Sequence, residues 1–130
     1  MVVGVGVDLV SIGRIERAYR RRPQRFIERI FSPAEIALLL PRRPLFSAMA
    51  ARFAAKEAVL KALGCGVGPV SWREVEIIAV KGRQPQVRLS GNAARLAAAR
   101  GIGRVLLSLT HESPFAGAVA VACHERSPER

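Results

Sequence analysis

The sequence predicts a single α+β domain, a mostly antiparallel sheet packed against one long central helix, and three observations carry that prediction. Apolar residues alternate with polar or small ones in short segments, the two-residue period of strands. Between them lie stretches of helical period with recognisable start and stop residues. No linker, repeat or low-complexity block divides the 130 residues, a length that buries a core without disulfides or a structural metal. The domain is expected over residues 1–123, with 124–130 a frayed tail.

In the first segment Val3, Val5, Val7 and Leu9 alternate with Gly4, Gly6 and Asp8. The valine face is expected to meet the core, leaving an opposite face stripped of side chains until Asp8. Ser11 caps a predicted helix over residues 12–22, with Ile12, Ile15 and Tyr19 inward and Arg14, Arg17 and Arg21 along another stripe; Pro23 ends it. Ser32-Pro33-Ala34-Glu35 combines an N-cap, a proline at the first helical position and a capping-box glutamate, and the helix it opens stops at Pro41. The long helix is predicted over 46–63, closed by Gly64 and followed by a glycine-rich loop at 64–69. Residues 73–80 alternate again, and a turn at 81–85 leads into a short strand at 86–89. Asn92 is expected to cap an alanine-rich helix closed by Gly101, and strands 104–110 and 116–123 flank a loop at 111–115.

Charge is the strongest compositional signal. The net charge is +11, and seven arginines (14, 17, 20, 21, 22, 25 and 29) crowd one short segment. Such a field attracts polyanions of any kind, so charge alone does not choose between nucleic acid, membrane and acidic protein. No apolar run approaches the ~20 residues of a membrane helix. The N-terminus lacks a basic region and a cleavage site, and Cys65 and Cys123 make neither a disulfide framework nor a zinc cluster. A cytoplasmic setting is expected.

The chemistry-bearing residues lie on three segments. On the long helix Phe46, Met49, Phe53, Leu60 and Leu63 form one apolar stripe, with Glu57 just off it beside Lys61 and among Ala50, Ala54 and Ala58. A carboxylate among alanines is open to a ligand; the plainer reading is an i,i+4 surface pair of Glu57 with Lys61. Lys56 projects into the apolar stripe. It either snorkels outward or, if desolvated, serves as a base or phosphate contact. Asp8, the only aspartate, ends the glycine face of the first strand. Two carboxylates from separate elements suit Mg²⁺, which takes oxygen ligands and keeps water and phosphate oxygens, better than zinc. Gly64 and Gly66 either bring backbone N–H groups to a phosphate or simply end the helix, and His111 either contacts a phosphate or caps a turn. No catalytic triad, P-loop or dinucleotide fingerprint is present.

The order of these signals along the chain is more telling than any one of them. Gly4-Val5-Gly6-Val7-Asp8-Leu9-Val10 followed by Arg14 resembles the N-terminal motif of the holo-acyl-carrier-protein synthases. Arg52-Phe53-Ala54-Ala55-Lys56-Glu57-Ala58 with Lys61-Ala62-Leu63-Gly64 is similar to their central signature, and Ser108-Leu109-Thr110-His111 to their C-terminal element. Phe31-Ser32-Pro33-Ala34-Glu35 falls where that family starts a helix. The resemblance implies the 4'-phosphopantetheinyl transferase fold and a magnesium-dependent enzyme. It would move the phosphopantetheine arm of coenzyme A to a serine of apo-acyl carrier protein, release adenosine 3',5'-bisphosphate, and so support fatty acid biosynthesis. It implies Asp8 and Glu57 as Mg²⁺ ligands, Arg52 and Lys61 near the coenzyme phosphates, and His111 as a contact from a neighbouring subunit of a homotrimer. Glu57 through a water is preferred as general base, with Lys56 the alternative, which requires a lowered pKa. Arg14, Arg17 and Arg21 share one helical face and are expected to dock the acidic carrier.

The chain departs from the family at Gly82-Arg83-Gln84-Pro85, where Gly-Lys-Pro is common, and at Cys65, where a threonine is common. A basic nucleic-acid-binding domain would explain the arginines but neither Asp8 nor Glu57, and aromatics are sparse. A magnesium phosphohydrolase would share the carboxylates without needing the basic helix. No nucleic acid or membrane partner is expected. Assembly is expected through the alanine-rich faces and the strand at 116–123.

Overall fold

The first strand and the last pair with each other, so both ends of the chain build one sheet. The computed structural model describes residues 1–80 and 82–125. It runs β1 (Val2–Ser11), α1 (Ile12–Arg21), α2 (Pro23–Ile30), α3 (Pro33–Leu39), α4 (Leu45–Leu63), a 3₁₀ turn at Trp72–Glu74, β2 (Val75–Ile78), β3 (Gln86–Leu89), α5 (Gly91–Ala99), β4 (Ile102–Glu112) and β5 (Phe115–His124). An antiparallel sheet of order β1-β5-β4 packs on α4, and β2 and β3 form a second antiparallel pair. The expected α+β architecture is therefore the one observed. Of the expected tail, His124 closes β5, and residues 126–130 lie outside the described residues.

Register decides which face of the sheet meets the helix. Gly6 pairs with Ala120, which pairs with Leu107; Asp8 pairs with Ala118, which pairs with Leu109. This face is made of small residues, and Ala116, Ala118, Ala120 and Ala122 are buried on it. Ala54, Ala58 and Ala62 of α4 are buried against the same core. A Cβ on Gly4 would collide with the Ala62 carbonyl oxygen, and one on Gly6 with that of Ala58. Two strand residues rise about 6.7 Å and four helix residues about 6.0 Å, so the glycines step down β1 in time with the turns of α4. Only residues this small let a helix approach so closely.

The expected orientation of β1 is consequently reversed. Val5, Val7 and Leu9 are 60%, 62% and 68% exposed and form the outer face, with Val119, Leu106 and Phe115 beside them. Alternation marks two faces but not which is covered; here the close-packed helix requires the glycine face. The alanines of β5 are covered for the same reason, so the accessible apolar surface is valine and leucine rather than alanine.

Elsewhere the local signals translate directly. Ser11 Oγ accepts the Arg14 backbone N–H at 3.3 Å, and Ser32 and Glu35 form both halves of a capping box. Pro23 does more than end α1: as the first residue of α2 it opens a second basic helix that the sequence reading did not assign. Helices α1 to α3 and the first half of α4 enclose a second core around Ile15, Ile27, Phe31, Leu39 and Met49. Helix α4 is buried around most of its circumference, so its alanine face lies under the sheet and is not open to ligand. Ser90, not Asn92, occupies the N-cap of α5; the Asn92 backbone N–H instead donates to Glu74 Oε2 at 2.9 Å. The predicted loop at 111–115 shrinks to Ser113–Pro114, because His111 and Glu112 belong to β4 and Phe115 to β5.

Candidate active site

Asp8 and Glu57 stand on the two elements that pack together, β1 and α4. Asp8 follows the glycines on the inner face of β1, and Lys61 of α4 reaches it: Lys61 Nζ donates to Asp8 Oδ1 and to the Val7 carbonyl oxygen, both at 3.0 Å. Glu57, one turn before Lys61, is half-buried, and its Oε2 accepts the Trp72 indole N–H at 2.7 Å. The surface pair expected between Glu57 and Lys61 is not the one formed, since Lys61 turns to Asp8. Among the described residues no three His, Cys, Asp or Glu side chains cluster. Two hard carboxylates without a histidine or cysteine beside them are donors that fit Mg²⁺ and not a closed zinc site. The ammonium against Asp8 marks a position that already accepts positive charge.

Lys56 lies in the opposite direction, into the protein. Its Nζ donates to Glu35 Oε1 at 2.6 Å, to the Trp72 carbonyl at 2.9 Å and to the Val75 carbonyl at 2.6 Å, and both Lys56 and Glu35 side chains are wholly buried. Glu35 in turn accepts the backbone N–H groups of Ser32 and Ile77, each at 2.9 Å. Burial lowers the Lys56 pKa, and the Glu35 carboxylate opposes that shift. With three acceptors around its three protons and a fully buried side chain, Lys56 joins α3, α4 and β2.

Two recesses are lined by arginines. One, of about 390 Å³, has an apolar floor of Val10, Ile15, Phe26, Ile30, Phe53 and Trp72 under a rim of Arg14, Arg21, Arg22, Arg25 and Arg29. It is lined by Leu9 and Val10, which follow Asp8, and by Trp72, which holds Glu57. Of the three arginines predicted as a docking face, Arg14 and Arg21 line it and Arg17 does not. Arg22, Arg25 and Arg29 join them by way of α2. The clustering of arginines over 14–29 pointed to this segment, but not to its second helix, α2.

The second recess, of about 310 Å³, brings together Arg42, Arg43, Arg52, Arg83, Thr110 and His111. Arg52 is buried and donates to the Ala48 and Ala79 carbonyls at 3.2 and 3.4 Å. Its pKa is lowered first by burial and then by the like charge of Arg42, while Glu35 acts against both. A buried cation among further cations is a setting for an anion. His111 stands in the same recess as Arg52 of its own chain. Gly64 and Gly66 line neither recess. Gly64 is left-handed, at φ 84°, and Arg100 bonds the Leu63 carbonyl over it, so its glycine is accounted for by the end of α4. Sequence reading missed Trp72 and the linking role of Glu35; the spacing Ser71-Trp72-Arg73-Glu74 is itself a capping box and was the available signal for the turn.

This fold is that of a known class of transferase. The model of the 4'-phosphopantetheinyl transferase superfamily matches residues 4–120. The holo-[acyl-carrier-protein] synthase of Desulforudis audaxviator is 49% identical over 130 residues, covering 100% of this chain and 99% of that protein. The crystal structure of the holo-[acyl-carrier-protein] synthase of Neisseria meningitidis superposes with a TM-score of 0.85 at 35% identity, over 94% of this chain and 98% of that one. That of Helicobacter pylori, in complex with coenzyme A, superposes with a TM-score of 0.80 at 35% identity, over 92% and 99%. The chain belongs to the 4'-phosphopantetheinyl transferase superfamily, and within it to the holo-[acyl-carrier-protein] synthases.

Proposed function

We propose that this chain transfers the 4'-phosphopantetheine arm of coenzyme A to a serine of apo-acyl carrier protein, releasing adenosine 3',5'-bisphosphate. The observation that carries this reading is Glu57 held by Trp72, which lines an arginine-rimmed apolar groove, with Asp8 held by Lys61 of the same helix and a second cationic recess around the buried Arg52. Each part answers a part of the reaction. The recess of Arg42, Arg43, Arg52, Arg83 and His111 suits the phosphates of the nucleotide end of coenzyme A. Asp8 and Glu57 would hold Mg²⁺, which supplies charge relief at the pyrophosphate when bound. Lys61 adds a positive charge beside Asp8, where the leaving phosphate gains negative charge. Glu57 accepts the serine proton through a water, since Lys56 is fully buried and donates all three of its ammonium protons within the protein. The groove of α1 and α2 suits an acidic carrier surface: arginines set register by charge, and the apolar floor takes the contact area.

The coenzyme A complex of the Helicobacter pylori relative supports the same substrate here. A homotrimer is proposed from the exposed outer face of the sheet, where Val5, Val7, Leu9, Leu106 and Val119 form an apolar patch that a partner subunit would cover. No helix among the described residues is long and apolar enough to cross a membrane; a cytoplasmic setting, with its supply of coenzyme A, is part of the proposal. The test is to incubate the chain with coenzyme A, Mg²⁺ and apo-acyl carrier protein. The carrier should gain about 340 Da, the mass of the arm delivered by displacement at phosphorus. A carrier of unchanged mass removes the reading.

A further inference from the structure

Trp72 is the only tryptophan of the chain and is held on four sides. Its carbonyl accepts Lys56 Nζ at 2.9 Å, its ring lies 5.7 Å from that of Phe53, and the Arg29 guanidinium stands 5.7 Å over it. Its indole N–H has one partner, Glu57 Oε2, at 2.7 Å. The residue begins a 3₁₀ turn pinned by its own capping box, so neither backbone nor ring is free to follow Glu57 if that side chain swings. A rigid donor on one carboxylate oxygen fixes the rotamer and leaves the other oxygen to face outward.

From this we infer that Trp72 is a positioning residue. Its indole N–H holds Glu57 by Oε2, so that Oε1 is presented to the cation shared with Asp8. The inference rests on the cation reading proposed above. It assigns the buried Lys56–Glu35 pair a part as well, since the pair anchors the Trp72 carbonyl from behind. Because the ring also floors the arginine groove, one side chain touches both the carrier recess and a carboxylate of the proposed cation site.

The test replaces only the donor. Trp72→Phe keeps an aromatic ring for Phe53 and Arg29 and removes the N–H. Binding of Mn²⁺ alone, followed by loss of the free-ion paramagnetic resonance signal, should weaken roughly tenfold, the scale on which partners of metal ligands act. Adenosine 3',5'-bisphosphate, which lacks the pyrophosphate, should bind as it does to the wild type. In turnover the half-saturating Mg²⁺ concentration should rise by a similar factor, while kcat at saturating Mg²⁺ stays within about twofold, the split that separates positioning from chemistry. Should the variant fail to fold, the wild type serves. Mn²⁺ is a contact quencher, so saturating ion should quench the single-tryptophan emission with the midpoint seen by resonance. Mn²⁺ that binds wild type and Trp72→Phe equally well, or binds wild type without changing its emission, overturns the inference and leaves the cation reading intact. A wild type that takes up no Mn²⁺ overturns both.

Discussion

The Lys56–Glu35 and Lys61–Asp8 ion pairs both begin on α4, and they differ in everything but charge. The first is closed: 2.6 Å long, with both side chains fully buried and every proton of the ammonium accepted. The second is open: 3.0 Å long, with 55% of the lysine and 15% of the aspartate side chain exposed. A buried pair gains from low dielectric and is rigid, but removing one partner strands a charge with no water to solvate it. An open pair contributes little to stability and can exchange its cation. Helix α4 therefore uses one lysine to hold three elements together and the next to wait beside a carboxylate. Lys56 and Lys61 carry the two roles within the same helix.

Breaking the closed pair should give the largest effect. Lys56→Met leaves Glu35 buried and unpaired, and unfolding by denaturant should show a loss of about 3–5 kcal/mol. Adding Glu35→Gln should restore a substantial part of it, because the stranded charge is then gone. A Lys56→Met chain as stable as wild type would remove the distinction between the two pairs.

Next in size are the carboxylates of the open site. Asp8→Ala and Glu57→Ala should each lower kcat/KM by more than tenfold, over about 1.4 kcal/mol, with an unfolding midpoint close to wild type. Asp8→Asn should fail similarly, since a neutral amide is a poor Mg²⁺ ligand. Retention of more than about a tenth of the activity, on the same scale, would take that residue out of the site.

A smaller effect is expected at the groove. Arg21→Glu and Arg25→Glu should each raise KM for the carrier by roughly twofold to fivefold, and more at low salt, where exposed charges are less screened. Coenzyme A binding should not change. Arg17→Glu should do less, because Arg17 lies outside the groove. An equal response at all three positions would mean that the field of the whole basic segment matters and the groove does not. Smallest of all is the stability change in Lys61→Met, below about 1 kcal/mol by thermal or denaturant unfolding, as befits an open pair.

How much of this was legible in the sequence depends on the kind of signal. Caps and stops are local chemistry, and Ser11, Ser32 with Glu35, and Gly64 were readable as such because a cap is satisfied within four residues. Asp8 and Glu57 could be singled out as candidates because their motifs stand out in order along the chain. Pro23 was misjudged as a stop only, since the same ring that ends one helix is well placed to begin another.

What the sequence determined by itself was most of the elements, several of their caps, the cationic segment and the family. Tertiary structure decided the faces and the partners. Alternation in β1 left its two faces equivalent until α4 was seated on the glycines, which sent the valines outward. Helical spacing placed Lys61 within reach of Glu57, yet a strand 53 residues away offered Asp8 and the Val7 carbonyl together. The same spacing left Lys56 free to snorkel or be buried, and the choice fell to three acceptors on α3, the 3₁₀ turn and β2. The physical reason is common to all three. Burial and ion pairing are properties of surfaces brought together from distant parts of the chain, and a local pattern restricts them without selecting among them.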